Sequence, residues 1–164
     1  IIIVESLTEG AASTCLLAKN LIDNDENLLI CDSDSIVQFQ PVLLGNYLMD
    51  GAILTFNDDK PCWSFVESNG NLQKITKVEE KNPISNYASC GRYYWKHGKD
   101  FVHYAEKMIS DNNKTNGEFY ISSIYNYAIN DGKNIINVLV DNFDCLGTPE
   151  DMNEYIAKHS DHNL

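Results

Sequence analysis

The sequence predicts an α/β fold built on a mixed, mainly parallel central sheet with one inserted hairpin. Three observations carry this. Short uninterrupted apolar runs, IIIV at 1–4 and LLIC at 28–31, flank a segment of helical character. That order of strand, helix and strand belongs to parallel sheets covered on both faces. The middle of the chain reads instead as two strands, CWSFVE and LQKITKVEEK, around an Asn69-Gly70 turn. A late apolar run, NIINVLV, then returns the chain to the sheet.

Each element has a local reason. Residues 1–4 read as a buried strand, and SLTEGAAST as a turn of small residues entering a helix over 11–21. DNDEN is a polar turn leading into the strand at 28–31. Pro41 suits the first turn of a helix that Gly51 can close, and AILTF is the next strand. CGRYYW is rich in β formers, while Phe101, Val102, Ala105, Met108 and Ile109 fall on one helical face. A second helix covers SSIYNYAIN and ends at Asp131-Gly132. In GTPEDMNEYI, Thr148 is the N-cap and Pro149 the first helical residue. Glu150 and Asp151 complement the positive end of that helix dipole. No repeat or linker interrupts the chain, so 1–164 reads as a single domain. It opens inside a strand and without methionine, the pattern expected of a domain that is N-terminally incomplete.

Composition narrows the function. A 164-residue chain that is 43% hydrophobic can bury a core and is not a disordered polymer. No apolar run approaches a membrane span and no signal-peptide pattern is present, so a cytoplasmic protein without a membrane partner is expected. Cys15, Cys31, Cys62, Cys90 and Cys145 are odd in number and include no C-x-x-C. Reduced thiols explain them better than a disulfide framework or a zinc site. A net charge of −12 argues against a nucleic-acid partner. It leaves room for a small phosphate compound held through a metal ion and a few local cations.

The residues with chemical potential are mostly acids. Asp32 and Asp34 stand just beyond the carboxyl end of the strand at 28–31, the edge where open α/β sheets bind ligands. Alternate residues of an extended segment share a side, so both carboxylates can face one Mg²⁺ or Mn²⁺. On spacing alone a second reading stands beside it: Asp32 caps the next segment and Asp34 is solvated. LTEGAAS offers a close-approach backbone at Gly10 and Ala11, or a plain entry turn. Glu80 and Lys81 are either a surface pair or a contact for hydroxyls and a phosphate. Glu118 reads as a partly buried acid in need of a partner, and Asp144 as a turn acid. His97 and His103 are isolated, and His159 and His162 lie in a polar terminal segment. There is no G-x-S-x-G, and no cysteine has a base close by in sequence.

Taken in order, TEGAAST, LLICDSDSIV, KVEEKNPIS, SCGRYYW, NGEFYIS and LGTPED resemble the sugar-phosphate nucleotidyltransferases, the nucleotide-sugar pyrophosphorylases. The resemblance runs from Leu7 to Asp151 and implies a Rossmann-like nucleotidyltransferase fold of the GT-A type. It implies transfer of a nucleotidyl group from a nucleoside triphosphate to a phosphorylated sugar or similar acceptor, with release of pyrophosphate. Such transfer serves a surface polysaccharide precursor. By the same resemblance Asp32 holds Mg²⁺ with Asp34 as helper, and Asp32 and Lys81 carry catalysis. Gly10 and Ala11 pack against the nucleobase; Glu80, Lys81, Gly91 and Glu118 serve the acceptor. In-line attack on an α-phosphorus needs alignment and charge neutralisation rather than a protein nucleophile, which suits the absence of one here.

Two departures stand out. Many relatives carry a second metal-binding Asp two residues before the last Gly-Thr, where this chain has Cys145; the nearest acid is Asp144. The resemblance thus implies Asp144 as the further metal ligand beside Asp32 and Asp34, although a one-residue shift in an extended segment reverses side-chain direction. The family's Gly-rich loop with its Arg, and the Lys that follows, have no counterpart in the sequence, so the isolated 164 residues are expected to be inactive. A D-x-D glycosyltransferase using a nucleotide-sugar and a degenerate nucleotide-binding homologue are the alternatives, and a homo-oligomer fits any of the three.

Overall fold

The computed structural model describes residues 1–41, 44 and 48–160. Its centre is β6 (Tyr87–Trp95), a long strand rich in aromatic and small residues. β3 (Gly51–Asn57) lines one edge of β6 along its length. Two shorter strands share the other edge. β4 (Ser64–Ser68) pairs near its start, Phe65 opposite Ala88, and β1 (Leu28–Cys31) near its end, Leu28 opposite Trp95. β5 (Ile75–Glu80) extends the sheet beyond β4, and β7 (Ile135–Leu139) beyond β3. The hairpin of β4 and β5 is the expected insertion.

The sheet is mixed, as the sequence predicts, with a particular distribution of directions. β1, β3, β4 and β7 run one way, β5 and β6 the other. Because β6 is interposed, β3 and β7 form the one parallel ladder among the described strands, and the other adjacent pairs are antiparallel. The apolar character of β1 therefore does not reflect a parallel neighbour.

Side-chain alternation divides the core into two. Ile53, Tyr93 and Trp95 face the helical side, while Ala52, Leu54 and Tyr94 face the other. On the helical side lie α3 (Gly98–Ser110) and α4 (Ile121–Asn130), both at the expected places. Phe101, Ala105 and Met108 of α3, and Ile124, Tyr125 and Ala128 of α4, are fully buried. Trp95 stacks on Tyr125 at 4.3 Å, and the Tyr125 hydroxyl donates to Tyr94 O at 2.9 Å. Burying each such ring contributes roughly 2–3 kcal/mol. The last helix, α5 (Pro149–His159), starts with a capping box of Thr148 and Asp151.

Several expectations change. Residues 1–4 form no strand: Ile1 and Ile3 are 124% and 81% exposed, and no described strand offers them an edge. An apolar run becomes a strand only where a ladder receives it. The helix at 11–21 divides into α1 (Ala11–Leu16) and α2 (Lys19–Ile22), since Leu17 and Ala18 bond back three residues to Thr14 and Cys15. The hairpin loop is longer than Asn69-Gly70. Its Leu72, at φ 57°, donates to Asn137 O at 2.7 Å, which docks 69–74 on β7. A small second sheet of β2 (Ser35–Gln38) and β8 (Asn142–Cys145) was not expected, and it shapes the site. The helix expected after Pro41 falls mainly, and His162 wholly, outside the described residues.

The free edge of β5 is covered by a side chain instead of a strand. Asn126 of α4 accepts from Val78 N at 2.9 Å and donates to Val78 O at 2.8 Å. Asn126→Ala leaves both backbone groups without a protein partner and is expected to destabilise the fold by about 1–3 kcal/mol. Urea unfolding would show this as a lower midpoint with an unchanged slope.

Candidate active site

The site begins where β6 bulges. Leu54 of β3 pairs with Arg92 but its neighbour Thr55 pairs with Ser89, so Cys90 and Gly91 are extra residues on β6. Gly91 adopts φ 71°, and a Cβ there would lie 2.0 Å from Asp32 Oδ2. Only glycine satisfies both demands. The Asp32 N–H donates to Gly91 O at 3.0 Å, which seats the carboxylate against the bulge.

Asp34 follows two residues later, where the chain turns into β2. Its carbonyl accepts from Leu146 N at 2.8 Å, and Gly147 closes over its carboxylate. Both aspartates open into one cavity of about 280 Å³. Partial burial raises the Asp32 pKa, the Asp34 charge raises it further, and Arg92 opposes both. Arg92, the buried neighbour of Gly91, donates to Gly91 O at 3.2 Å and to Ser35 O at 3.0 Å. Two convergent carboxylates whose charges resist each other are a hard-oxygen donor set, and their chemistry fits a small divalent cation.

Glu80, at the end of β5, lines the same cavity. Ser64 and Ser122 both donate to its Oε2, the latter at 2.9 Å. Ser64 is the cross-strand partner of Glu80, and both serines are buried. Trp63, Tyr93, Tyr120 and Phe143 supply aromatic walls. Burial lifts the Tyr93 phenol above its ordinary range. Trp63 and Tyr93 line the cavity, whereas Tyr94 belongs to the core. Cys90 and Cys145 line the cavity too. Burial pushes the Cys90 thiol up to about 12 and raises Cys145, so both stay protonated at neutral pH.

The structure thus brings Ala11, Asp32, Asp34, Glu80 and Gly91 together. Gly10 stands behind them: at φ 128°, it packs so closely on Phe119 that a Cβ would lie 2.6 Å from its backbone nitrogen. Lys81 is at the exposed rim, in a left-handed conformation at φ 55°, its Nζ 5.4 Å from the centre of the Tyr120 ring. Glu118 is exposed, not partly buried. It pairs with Thr115 across Asn116-Gly117 in a tight hairpin, and alternation turns Phe119 inward in its place. Asp144 does not join Asp32 and Asp34. It binds Lys158 at 2.6 Å and lines a neighbouring cavity, because on β8 it is Cys145 that faces the aspartates. Arg92, Ser64 and Ser122 escaped the sequence reading. The only arginine in the chain, set among β-forming aromatics, was the available signal for Arg92. The serines had none.

Because the Asp32 pKa is raised on folding, its ionised form works against the fold. The stability linked to it is complete below the unfolded value and is lost as pH rises through the folded one. Asp32→Asn is therefore expected to melt above the parent protein near pH 7 in metal-free buffer. The difference should shrink as pH falls toward about 4. Thermal unfolding across that range tests it, and a pH-independent difference would contradict the assignment.

The family model described as Nucleotidyl transferase matches residues 1–162. Among solved structures, a nucleoside-diphosphate-sugar pyrophosphorylase from Vibrio cholerae RC9 aligns at TM-score 0.82 and 24% identity, covering 94% of this chain and 67% of its own. A Bacillus anthracis structure in complex with a sucrose, described as a glucose-1-phosphate thymidylyltransferase, aligns at 0.73 and 20%, covering 98% and 65%. A UDP-glucose pyrophosphorylase complexed with UDP-glucose aligns at 0.74 and 17%, covering 94% and 65%. The chain spans about two thirds of the length of these structures, and at such identities the likeness establishes the fold. A sequence search finds no match among curated proteins. With a family model running almost from end to end over a cavity of this make-up, the chain belongs to the nucleotidyl transferase family.

Proposed function

We propose that the whole protein transfers a nucleotidyl group from a nucleoside triphosphate to a phosphorylated sugar or similar small acceptor, releasing pyrophosphate. The observation that carries this reading is one cavity lined by both a carboxylate pair and a serine-held glutamate. Such an arrangement suits a ligand with a charged phosphate end and a hydroxyl-bearing end. A phosphate oxygen of the acceptor attacks the α-phosphorus in line. The bond to the bridging oxygen breaks, and pyrophosphate leaves with that electron pair. The attacking oxygen is already anionic, so no general base is required, and the protonated thiols of the cavity have no part to play.

The chain's own residues orient the reactants. Asp32 and Asp34 are the ligands for Mg²⁺ or Mn²⁺, which when bound neutralises phosphate charge. Asp34 takes this role without Asp144, whose carboxylate is committed to Lys158. Ala11, supported by Gly10 on Phe119, offers a flat approach to the base. Glu80 accepts from acceptor hydroxyls, Lys81 meets a phosphate from the rim, and the aromatic walls keep out water. Glu118, exposed beyond Tyr120, is left out of the direct contacts. The reading is of a cytoplasmic enzyme supplying a surface polysaccharide precursor. In its support, the five cysteines are free and no described helix is long and apolar enough to cross a membrane.

The test is pyrophosphate release by the whole protein, including any sequence upstream of Ile1, with Mg²⁺. The four ribonucleoside triphosphates and dTTP are offered with a mixture of phosphorylated acceptors. Release that requires both one triphosphate and one acceptor is expected. Asp32→Ala should lower turnover at least about a hundredfold while the circular dichroism spectrum is unchanged. No release under these conditions would overturn the reading.

A further inference from the structure

Glu80 is held in an unusual way for a cavity carboxylate. Its Oε2 takes both serine hydroxyls, one from β4 directly across the hairpin ladder and one from the first turn of α4. Among the described residues no hydrogen bond reaches Oε1. Ser64 and Ser122 are 8% and 1% exposed, and the hydroxyl of each is committed to Glu80. The two serines come from β4 and α4, so no single segment sets the position of the carboxylate.

We infer that Ser64 and Ser122 are positioning residues: by occupying Oε2 they hold Glu80 with Oε1 toward the cavity. The carboxylate then offers the ligand an acceptor and no donor, and it selects a molecule that carries a hydroxyl at that point over one that lacks it. A ligand without the hydroxyl leaves a desolvated carboxylate oxygen unpaired, a mismatch that polar sites reject strongly. Two fixed serines sharpen the selection, because a carboxylate free to rotate could turn away from such a ligand and recover a partner elsewhere. The identity of the ligand rests on the transfer reading above; the positioning of Glu80 does not.

The test has two arms, both on the whole protein. In the first, crystal structures of the parent and of the Ser64→Ala, Ser122→Ala double variant compare the Glu80 carboxylate. It is expected to leave its place or to occupy several positions once both hydroxyls are gone. The second arm uses glucose 1-phosphate and its monodeoxy analogues as acceptors. Each serine-to-alanine change should raise KM for glucose 1-phosphate by about fivefold to tenfold and leave KM for the triphosphate unchanged. It should also narrow the preference over the sensitive deoxy analogue, and Ser122→Thr, which keeps the hydroxyl, should restore both. In a Glu80→Gln background the serine changes should have no further effect, since they act through Glu80. An unmoved Glu80 in the double variant, or serine losses that add to that of Glu80→Gln, would overturn the inference. Absence of turnover in the parent would count against the transfer reading or this acceptor, and the crystallographic arm then decides on the serines.

Discussion

The contact between Asp32 and Gly91 organises much of this molecule. A carboxylate lies where the Cβ of residue 91 would be, and the backbone there has a positive φ. Both conditions follow from two extra residues in the middle of β6, the strand on which β1, β3 and β4 all depend. A bulge at a sheet edge would bend one ladder. In β6 it changes direction between the part that holds β4 and the part that holds β1, and the cavity opens at that change. Arg92, next in the chain, turns back to bind the bulge carbonyl and the start of β2. One irregularity thus seats the acid, backs it with a cation and anchors the small second sheet.

The electrostatics follow from that geometry. A chain with net charge −12 has a single arginine, and it is spent beneath the two aspartates. Burial first and the Asp34 charge second outweigh it, so the Asp32 carboxyl remains less willing to ionise than a free one. Stability given up at a site in this way is characteristic of groups retained for what they bind. Elsewhere the chain pairs its charges in ordinary fashion: Lys114 with Glu9, Lys19 with Glu106, Lys133 with Asp100. The first of these, together with the backbone bonds from Phe119 to Glu9 and from Ala12 to Phe119, fastens the Gly10 turn to the segment bearing Tyr120. Ala11 and Tyr120, both of which line the cavity, are thereby held by joined segments.

The small sheet decides what the cavity excludes. Along β8, Phe143 and Cys145 face the aspartates, while Asp144 faces Lys158 and a second cavity. Trp63, Phe143 and Cys145 form the partition between the two spaces. Phe56 and Phe143 stack at 4.1 Å, with Trp63 edge-on to both, so the partition is a packed aromatic wall and not a loose flap.

The sequence by itself determined whatever depends on near neighbours. The apolar face of α3, the Thr148 cap of α5, the Asp131-Gly132 stop of α4 and the strands from AILTF to NIINVLV are consequences of residues a turn or a strand apart. Asp32 and Asp34 were legible for the same reason, since two acids straddling one residue at a strand end are a local pattern. The tertiary structure alone decided which edges meet. It left 1–4 unpaired, set β6 between strands of like direction, and paired Ser35 with Cys145, which turned Asp144 away. It also brought Ser64, Ser122 and Arg92 to the site, each from a segment remote in sequence. Periodicity and capping act over a few residues and are written in the chain; strand pairing and register are settled by contacts between distant segments, and those exist only once the chain has folded.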